Sequence, residues 1–158
     1  MLLEVEPQMN ADNRRYAHDD LTRAIIGVFF EVYNELGYGF LESVYREAMS
    51  LALRTSGLEV YKEFRLSARF RGHVVGDFKA DLIVNGLIIV ELKGVRVLEP
   101  VHEAQLLNYL RASVLEIGLL LNFGPKPQLR RLAYSNERKK SPGLLFQTRA
   151  RPISVDLR

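Results

Sequence analysis

One stretch of the chain limits its possible folds more than any other. Residues 81–94 read DLIVNGLIIVELKG, a hydrophobic sequence that holds the charged residues Asp81, Glu91 and Lys93. The internal Asn-Gly pair favours a tight turn between two strands. The second strand is apolar on both sides of Glu91, so we expect both of its faces to be covered. A charge buried there costs several kcal/mol unless a partner or a metal compensates it.

The length of the turn decides whether these charges meet. Glu91 and Lys93 lie two residues apart and therefore project from the same face of a strand. A two-residue Asn-Gly loop would turn Asp81 to the opposite face. A three-residue loop, residues 84–86 with Gly86 in the left-handed region, would bring Asp81 to the face of the other two charges. The sequence permits both turns.

Physical chemistry gives two interpretations of the three charges. Asp81 and Glu91 could hold a hard divalent cation, Mg²⁺ or Mn²⁺, while Lys93 stabilises charge that develops on a phosphoryl group. Alternatively, Lys93 forms a buried salt bridge with one carboxylate, or the charges are ordinary ones on an exposed edge. The cation site requires the odd-length loop.

Hydrophobic periodicity predicts a mixed α/β domain. Helices are expected over residues 19–37, capped by Asp19 or Asp20, over 41–57, and over 98–113 with Pro100 in the first turn; Gly37 and Gly57 end the first two. Residues 58–72 alternate as a strand pair would, and residues 73–94 add two more strands. The apolar run 116–124 predicts a central strand, and residues 128–135 a further edge strand. One mixed sheet with helices on its faces follows, with three or four strands before the third helix; with three, the order is α-α-β-β-β-α-β.

Composition narrows the class of protein. A chain of 158 residues with 47% apolar and 26% charged residues is typical of one soluble globular domain. It has no cysteines, so it has no disulfides and no thiolate metal site. No apolar run approaches the roughly 18 residues of a spanning helix, and the N-terminus does not resemble a secretory signal. We therefore expect a cytoplasmic protein without a membrane partner.

Positive charge is concentrated in the last part of the chain. Residues 124–158 hold nine lysines and arginines against Glu137 and Asp156. This distribution is compatible with a polyanionic partner, and equally with a solvated, partly disordered tail. Arg130 and Arg131, beside the last strands, are the best placed to bind nucleic acid.

Four motifs in order resemble a known group of nucleases. DLIVNGLIIVELK is similar to the D…ExK core of the PD-(D/E)XK nuclease superfamily, and GFLESVY (39–45) to the signature of the GxxExxY protein family. QLLNY (105–109) is similar to the Q-x-x-x-Y motif of RecB-like nucleases, and GLLLNFG (118–124) resembles the last core strand of GxxExxY proteins. The resemblance implies a restriction-endonuclease-like domain over 19–135, between an N-terminal extension (1–18) and a basic C-terminal tail (136–158).

The resemblance also implies a role for each residue of the site. Asp81 and Glu91 would be metal ligands, joined by Glu42 directly or through water, and Lys93 would be the catalytic lysine. Gln105 would contact the catalytic water or the substrate phosphate.

Two tyrosines and a histidine would surround this centre. Tyr109, one turn after Gln105, would orient the site or the substrate backbone, and Tyr45 would support the site or serve in packing. Both tyrosines could instead be core aromatics, and Glu42 could simply stabilise a helix N-terminus. His102 is expected to be a surface or capping residue.

The implied activity is Mg²⁺- or Mn²⁺-dependent hydrolysis of nucleic-acid phosphodiester bonds, with DNA as the expected substrate. A nuclease-fold module that binds nucleic acid or a protein without cutting is the alternative, and a structural domain with a salt-bridge cluster is a third. Tyr33 and Tyr38 stand where GxxExxY proteins commonly carry a histidine and a proline. Small nucleases of this fold often form homodimers, which this sequence does not demand.

Overall fold

The computed structural model describes residues 11–139 and 145–147 of the chain. The elements are α1 (Ala11–Leu36), α2 (Glu42–Thr55), β1 (Val60–Phe70), β2 (His73–Val84), β3 (Ile88–Lys93), α3 (Pro100–Ala112), β4 (Ile117–Phe123), β5 (Pro127–Ala133), a 3-10 turn (Asn136–Arg138) and β6 (Leu145–Gln147). The predicted order α-α-β-β-β-α-β is confirmed, and two further strands follow it. Most of the predicted N-terminal extension and basic tail lies outside the described residues.

A single mixed sheet organises these elements, as predicted. Its strand order is β5-β4-β3-β2-β1-β6. Strands β3 and β4 are parallel, and the other neighbours are antiparallel. One buried cluster joins α1 and α2 to one face of the sheet, and a second joins α3 to the other face. No helix in the described part of the chain is long and apolar enough to span a membrane.

The first helix differs from its prediction at one end. Helix α1 begins at Ala11, so Asp19 and Asp20 lie inside it and do not cap it. Residues 11–18 contain neither glycine nor proline, and nothing in their backbone stops a helix from extending upstream. Gly37 follows the end of α1 with a φ of 68°, and Gly57 adopts a φ of 86° just beyond α2, as predicted.

The segment predicted as a strand pair forms the single strand β1. Its partner is β2, but the ladder has no pair at Glu63, which adopts a φ of 50°. Val60, before this residue, is buried on the α1–α2 side, whereas Phe64 and Leu66, after it, are buried on the α3 side. A local break in the alternation therefore replaces the expected turn.

The turn between β2 and β3 is the three-residue alternative. Val84 pairs with Ile88, so the loop consists of Asn85, Gly86 and Leu87, one residue later than the predicted loop. Both Asn85 and Gly86 are in the left-handed region, with φ of 52° and 63°. The register has the parity that puts Asp81 and Glu91 on one face.

Candidate metal centre at the fork of strands β2 and β3

Strands β2 and β3 separate where the two carboxyl groups lie. Their last backbone pair is Leu82 with Val90, and β3 continues beside β4 as far as Lys93. Glu91 Oε1 accepts the backbone N–H of Asp81 at 3.0 Å. Asp81 Oδ2 accepts the N–H of the residue after Glu91 at 2.9 Å. Side chains thus take over from the backbone ladder at this fork and hold the two carboxyls together.

The electrostatics of this pair favour a bound cation. Glu91 is only 4% exposed. Burial, and then the negative charge of Asp81, raise the pKa of Glu91 to about 8, although the charge of Lys93 opposes the increase. Near neutral pH the pair therefore retains a proton, and a divalent cation would neutralise the same repulsion.

Asp81 has an ion-pair partner that the sequence did not suggest. Arg46 Nη1 lies 3.2 Å from Asp81 Oδ1 and 3.6 Å from a carboxylate oxygen of Glu63. The Arg46 side chain is only 18% exposed. Lys93, by contrast, has no ion pair among the residues that the structure describes, so the predicted Lys93 salt bridge is not formed there. The sequence held one indication of the role of Arg46: it follows Glu42 by one helical turn and therefore lies on the same face of α2.

Glu42 lies at the edge of the centre. It is the first residue of α2 and is exposed. A Cβ placed on Gly94 would lie 3.8 Å from the Cγ of Glu42, which locates this glutamate beside the residue that follows Lys93. In the described part of the chain, no three His, Cys, Asp or Glu side chains are close enough together to hold a metal. Two carboxylates nevertheless suit Mg²⁺, which keeps several waters and shares substrate phosphates.

Helix α3 lies beside the carboxyl pair, on the face of the sheet opposite to α1 and α2. Gln105 is exposed and donates through Nε2 to the hydroxyl of Tyr109 at 3.2 Å. Burial, and then the charge of Glu91, raise the pKa of Tyr109. His102 accepts the backbone N–H of Glu99 through Nδ1 at 2.9 Å, so its predicted capping role is confirmed.

Tyr45 supports the link between the first two helices. It is fully buried, and its ring stacks on Phe123 with centroids 4.0 Å apart. Its hydroxyl donates to the carbonyl of Gly37 at 2.6 Å and accepts the N–H of Phe40 at 3.3 Å. These contacts fix the start of α2, on which Glu42 and Arg46 are carried.

Asn122 holds the loop that follows the lysine, and sequence reasoning missed it. It is fully buried in β4 and lies opposite Lys93 in the parallel register. Its Oδ1 accepts the N–H of Val95 at 3.0 Å, and its Nδ2 donates to the carbonyl of Val95 at 2.8 Å and to Gln128 Oε1 at 3.2 Å. The available signal was a lone amide in the apolar run GLLLNFG.

The two predicted nucleic-acid-binding arginines lie on the edge strand β5. Arg130 Nε is 3.1 Å from Glu103 Oε1, and Arg131 Nη2 is 3.1 Å from Asp19 Oδ1. Both side chains are thus paired with carboxylates, and both remain partly exposed. Their contact with nucleic acid stays a prediction.

Comparison with known protein families gives a match over most of the chain. The family model of the PD-(D/E)XK nuclease superfamily matches residues 19–132. The narrower resemblance to GxxExxY proteins stays a prediction. No curated protein matches the sequence.

Among solved structures, the chain resembles the one described as the crystal structure of SSO0001. The two are 20% identical, the TM-score is 0.47, and the match covers 77% of this chain and 63% of that one. The chain therefore spans less than two thirds of the length of SSO0001. This likeness is too distant to carry an argument.

Proposed function

The chain belongs to the PD-(D/E)XK nuclease superfamily, and from this we propose that it is a divalent-cation-dependent nuclease that hydrolyses phosphodiester bonds in DNA. The observation that carries the proposal is the carboxyl pair at the fork. Asp81 and Glu91 hydrogen-bond to each other's strands, and the pKa of Glu91 is raised to about 8. Perturbed carboxyls of this kind are typical of functional sites.

We infer a division of roles among the residues of the fork. Asp81 and Glu91 would hold Mg²⁺ or Mn²⁺, which when bound would supply an activated water and neutralise charge on the phosphate. Lys93 would direct its ammonium group towards the charge that develops on the phosphoryl oxygens. Gln105 would hydrogen-bond to the attacking water or the phosphate, and its contact with Tyr109 would orient the amide. Glu42, at the edge of the centre, would act through water.

Cleavage of labelled DNA tests the proposal directly. Wild-type protein with Mg²⁺ or Mn²⁺ is expected to cut DNA and to stop when the cation is chelated. Lys93→Ala is expected to reduce the cleavage rate by on the order of a hundredfold or more while DNA binding persists. Glu91→Gln is expected to abolish both cation binding and cleavage.

A matched lysine variant controls for the loss of charge. Lys62→Ala removes an ammonium that pairs with Glu47 on the outside of α2 at 2.7 Å, and it should cut at the wild-type rate. Circular dichroism would establish that all variants are folded. Equal cleavage by wild type, Lys93→Ala and Glu91→Gln would exclude this centre as the catalytic site, and RNA substrates tested in parallel would report the choice of nucleic acid.

One observation favours a second function, a nuclease-fold module that binds nucleic acid or a protein without cutting. Arg46 already neutralises Asp81 within the protein, so the pair can persist without a cation. Such a module would bind its partner equally well with or without a chelator. It would also retain its affinity in Lys93→Ala and show no cleavage under any condition.

A further inference from the structure

The hairpin of β1 and β2 extends past the fork as an arm, defined here as residues 65–79. Strand β3 runs antiparallel to β2, so the arm and the end of β3 at Lys93 extend in the same direction from the fork. From Asp81 to His73 at the tip, an extended strand covers about 26 Å, at about 3.3 Å per residue. The arm therefore starts beside the carboxyl pair and extends from it in the same direction as the end of β3.

The arm is basic within an otherwise acidic part of the chain. It carries Arg65, Arg69, Arg71 and Lys79 against the single acid Asp77, whereas residues 1–123 as a whole have more acidic than basic residues. Arg65 and Lys79 are cross-strand partners and are both exposed. Arg65 lies 3.7 Å from Asp77, and Lys79 lies 3.4 Å from Glu63 at the base of the arm. The arm as a whole keeps a net positive charge, which is complementary to a polyanion.

The tip of the arm also exposes apolar side chains. Phe70, Val74 and Val75 are 56%, 53% and 65% exposed. Arg71 lies over the Phe70 ring, 4.9 Å from its centroid. A cluster of apolar groups surrounded by positive charge suits a partner with both an anionic backbone and an apolar interior.

We propose that the arm binds along double-helical DNA, with its basic residues on the phosphates and its tip in a groove; this inference rests on the proposed nuclease function. Strand β6 pairs with residues 66–68 of the arm, and beyond these residues the hairpin is a two-stranded β-ribbon. A ribbon of this kind fits the major groove, and apolar side chains can enter between base steps from the minor groove. Single strands bind instead by stacking on a series of aromatic rings. The tip offers only two exposed rings, the phenyl of Phe70 and the smaller imidazole of His73, and no series of large ones. The distance of about 26 Å from Asp81 to the tip corresponds to about eight base pairs, at about 3.4 Å each.

Fluorescence anisotropy of the full chain with a labelled 20-base-pair duplex tests the proposal, with the same strand alone for comparison. A chelator prevents cleavage, and the salt concentration is varied. Arg65→Gln/Arg71→Gln removes two charges from the arm, and Arg23→Gln/Arg111→Gln removes two exposed charges elsewhere as the matched control. Val74→Thr/Val75→Thr changes the tip without changing charge or size.

The arm variant, Arg65→Gln/Arg71→Gln, is expected to make the negative slope of log K against log salt shallower by about 1.8, because two phosphate contacts are lost. The control should keep the wild-type slope, and the tip variant should bind the duplex several-fold more weakly at an unchanged slope. Equal effects of the arm and control variants, or tighter binding of the single strand, would overturn the proposal. So would a wild-type dimer in sedimentation that becomes monomeric in the tip variant, because the tip would then be an interface between copies.

Cleavage measured on the same variants separates this inference from the proposed function. Loss of duplex affinity in the arm variant, with cutting restored at saturating DNA, would support both. Arm-dependent duplex binding by a wild-type protein that never cuts would contradict the nuclease proposal alone. Cleavage at the wild-type rate by the arm variant would contradict the DNA-binding role of the arm and leave the nuclease proposal intact.

Discussion

The guanidinium of Arg46 lies 3.2 Å from Oδ1 of Asp81, so one oxygen of this carboxylate is already engaged by a positive charge of the protein. The other oxygen accepts the N–H of Leu92. Each oxygen of Asp81 thus has a partner without a cation. A cation that binds between Asp81 and Glu91 must compete with Arg46 or displace it.

Removal of the Arg46 charge should therefore strengthen cation binding. Arg46→Gln is expected to lower the dissociation constant for Mn²⁺ by about tenfold, the effect of roughly 1.4 kcal/mol of relieved charge repulsion. Calorimetry measures the change. Lys62→Gln is the control for loss of a positive charge, because Lys62 of β1 pairs with Glu47 of α2, the helix that carries Arg46. Weaker Mn²⁺ binding in Arg46→Gln would mean that the arginine supports the cation site and does not compete with it.

Cation binding should depend on pH through Glu91. The pKa of Glu91 is raised to about 8, so below this pH a cation must displace a proton. The apparent affinity is expected to increase about tenfold per pH unit from pH 6 to 8 and to level off above 8. Calorimetry in buffers of different ionisation enthalpy should count close to one proton released at pH 6.5.

Two outcomes would argue against that pH dependence. An affinity that is flat from pH 6 to 8 would mean that Glu91 is already ionised or is not a ligand. Cation binding that persists in Glu91→Gln would mean that Glu91 is not a ligand.

The same raised pKa makes a prediction about folding. A carboxyl whose pKa is higher in the folded protein than in the unfolded chain stabilises the fold at low pH, and this contribution is lost as the pH rises towards the folded value. For Glu91 the window runs from 4.5 to about 8. The free energy of unfolding of Glu91→Gln, relative to wild type, should therefore increase between pH 5 and pH 8 by a few kcal/mol.

Urea denaturation of both proteins without divalent cations measures this difference. A constant difference across the range would mean that Glu91 does not titrate differently on folding. A Glu91→Gln protein that is less stable at every pH would favour a purely structural role for the pair.

Asn122 should be important for the stability of the loop after Lys93. Asn122→Leu keeps the volume but leaves both backbone groups of Val95 without their partner. The expected loss is about 2–4 kcal/mol, because buried groups lose two hydrogen bonds. Asn34→Leu, at an exposed position of α1, should change the unfolding free energy by less than about 0.5 kcal/mol. Similar losses for both variants would exclude a specific role for the amide.

Local patterns determined most elements of this protein and the residues of its candidate site. Periodicity located the helices and most strands because side-chain spacing follows backbone geometry, but it divided the single strand β1 into a pair. The D…ExK and Q-x-x-x-Y patterns identified Asp81, Glu91, Lys93, Gln105 and Tyr109, which occupy one strand fork and the helix beside it. The sequence did not predict the part of α1 before Asp19, because the apolar stripe that marked the helix begins only at Leu21.

The tertiary structure alone decided how these groups meet. The sequence allowed a two- or a three-residue turn, since an Asn-Gly pair suits both, and the packing of both faces of the sheet selected the register. Arg46 reaches Asp81 from 35 residues away, and Asn122 reaches Val95 from 27 residues away. Contacts of this kind depend on how helices and strands pack together, and no periodicity within a segment encodes them.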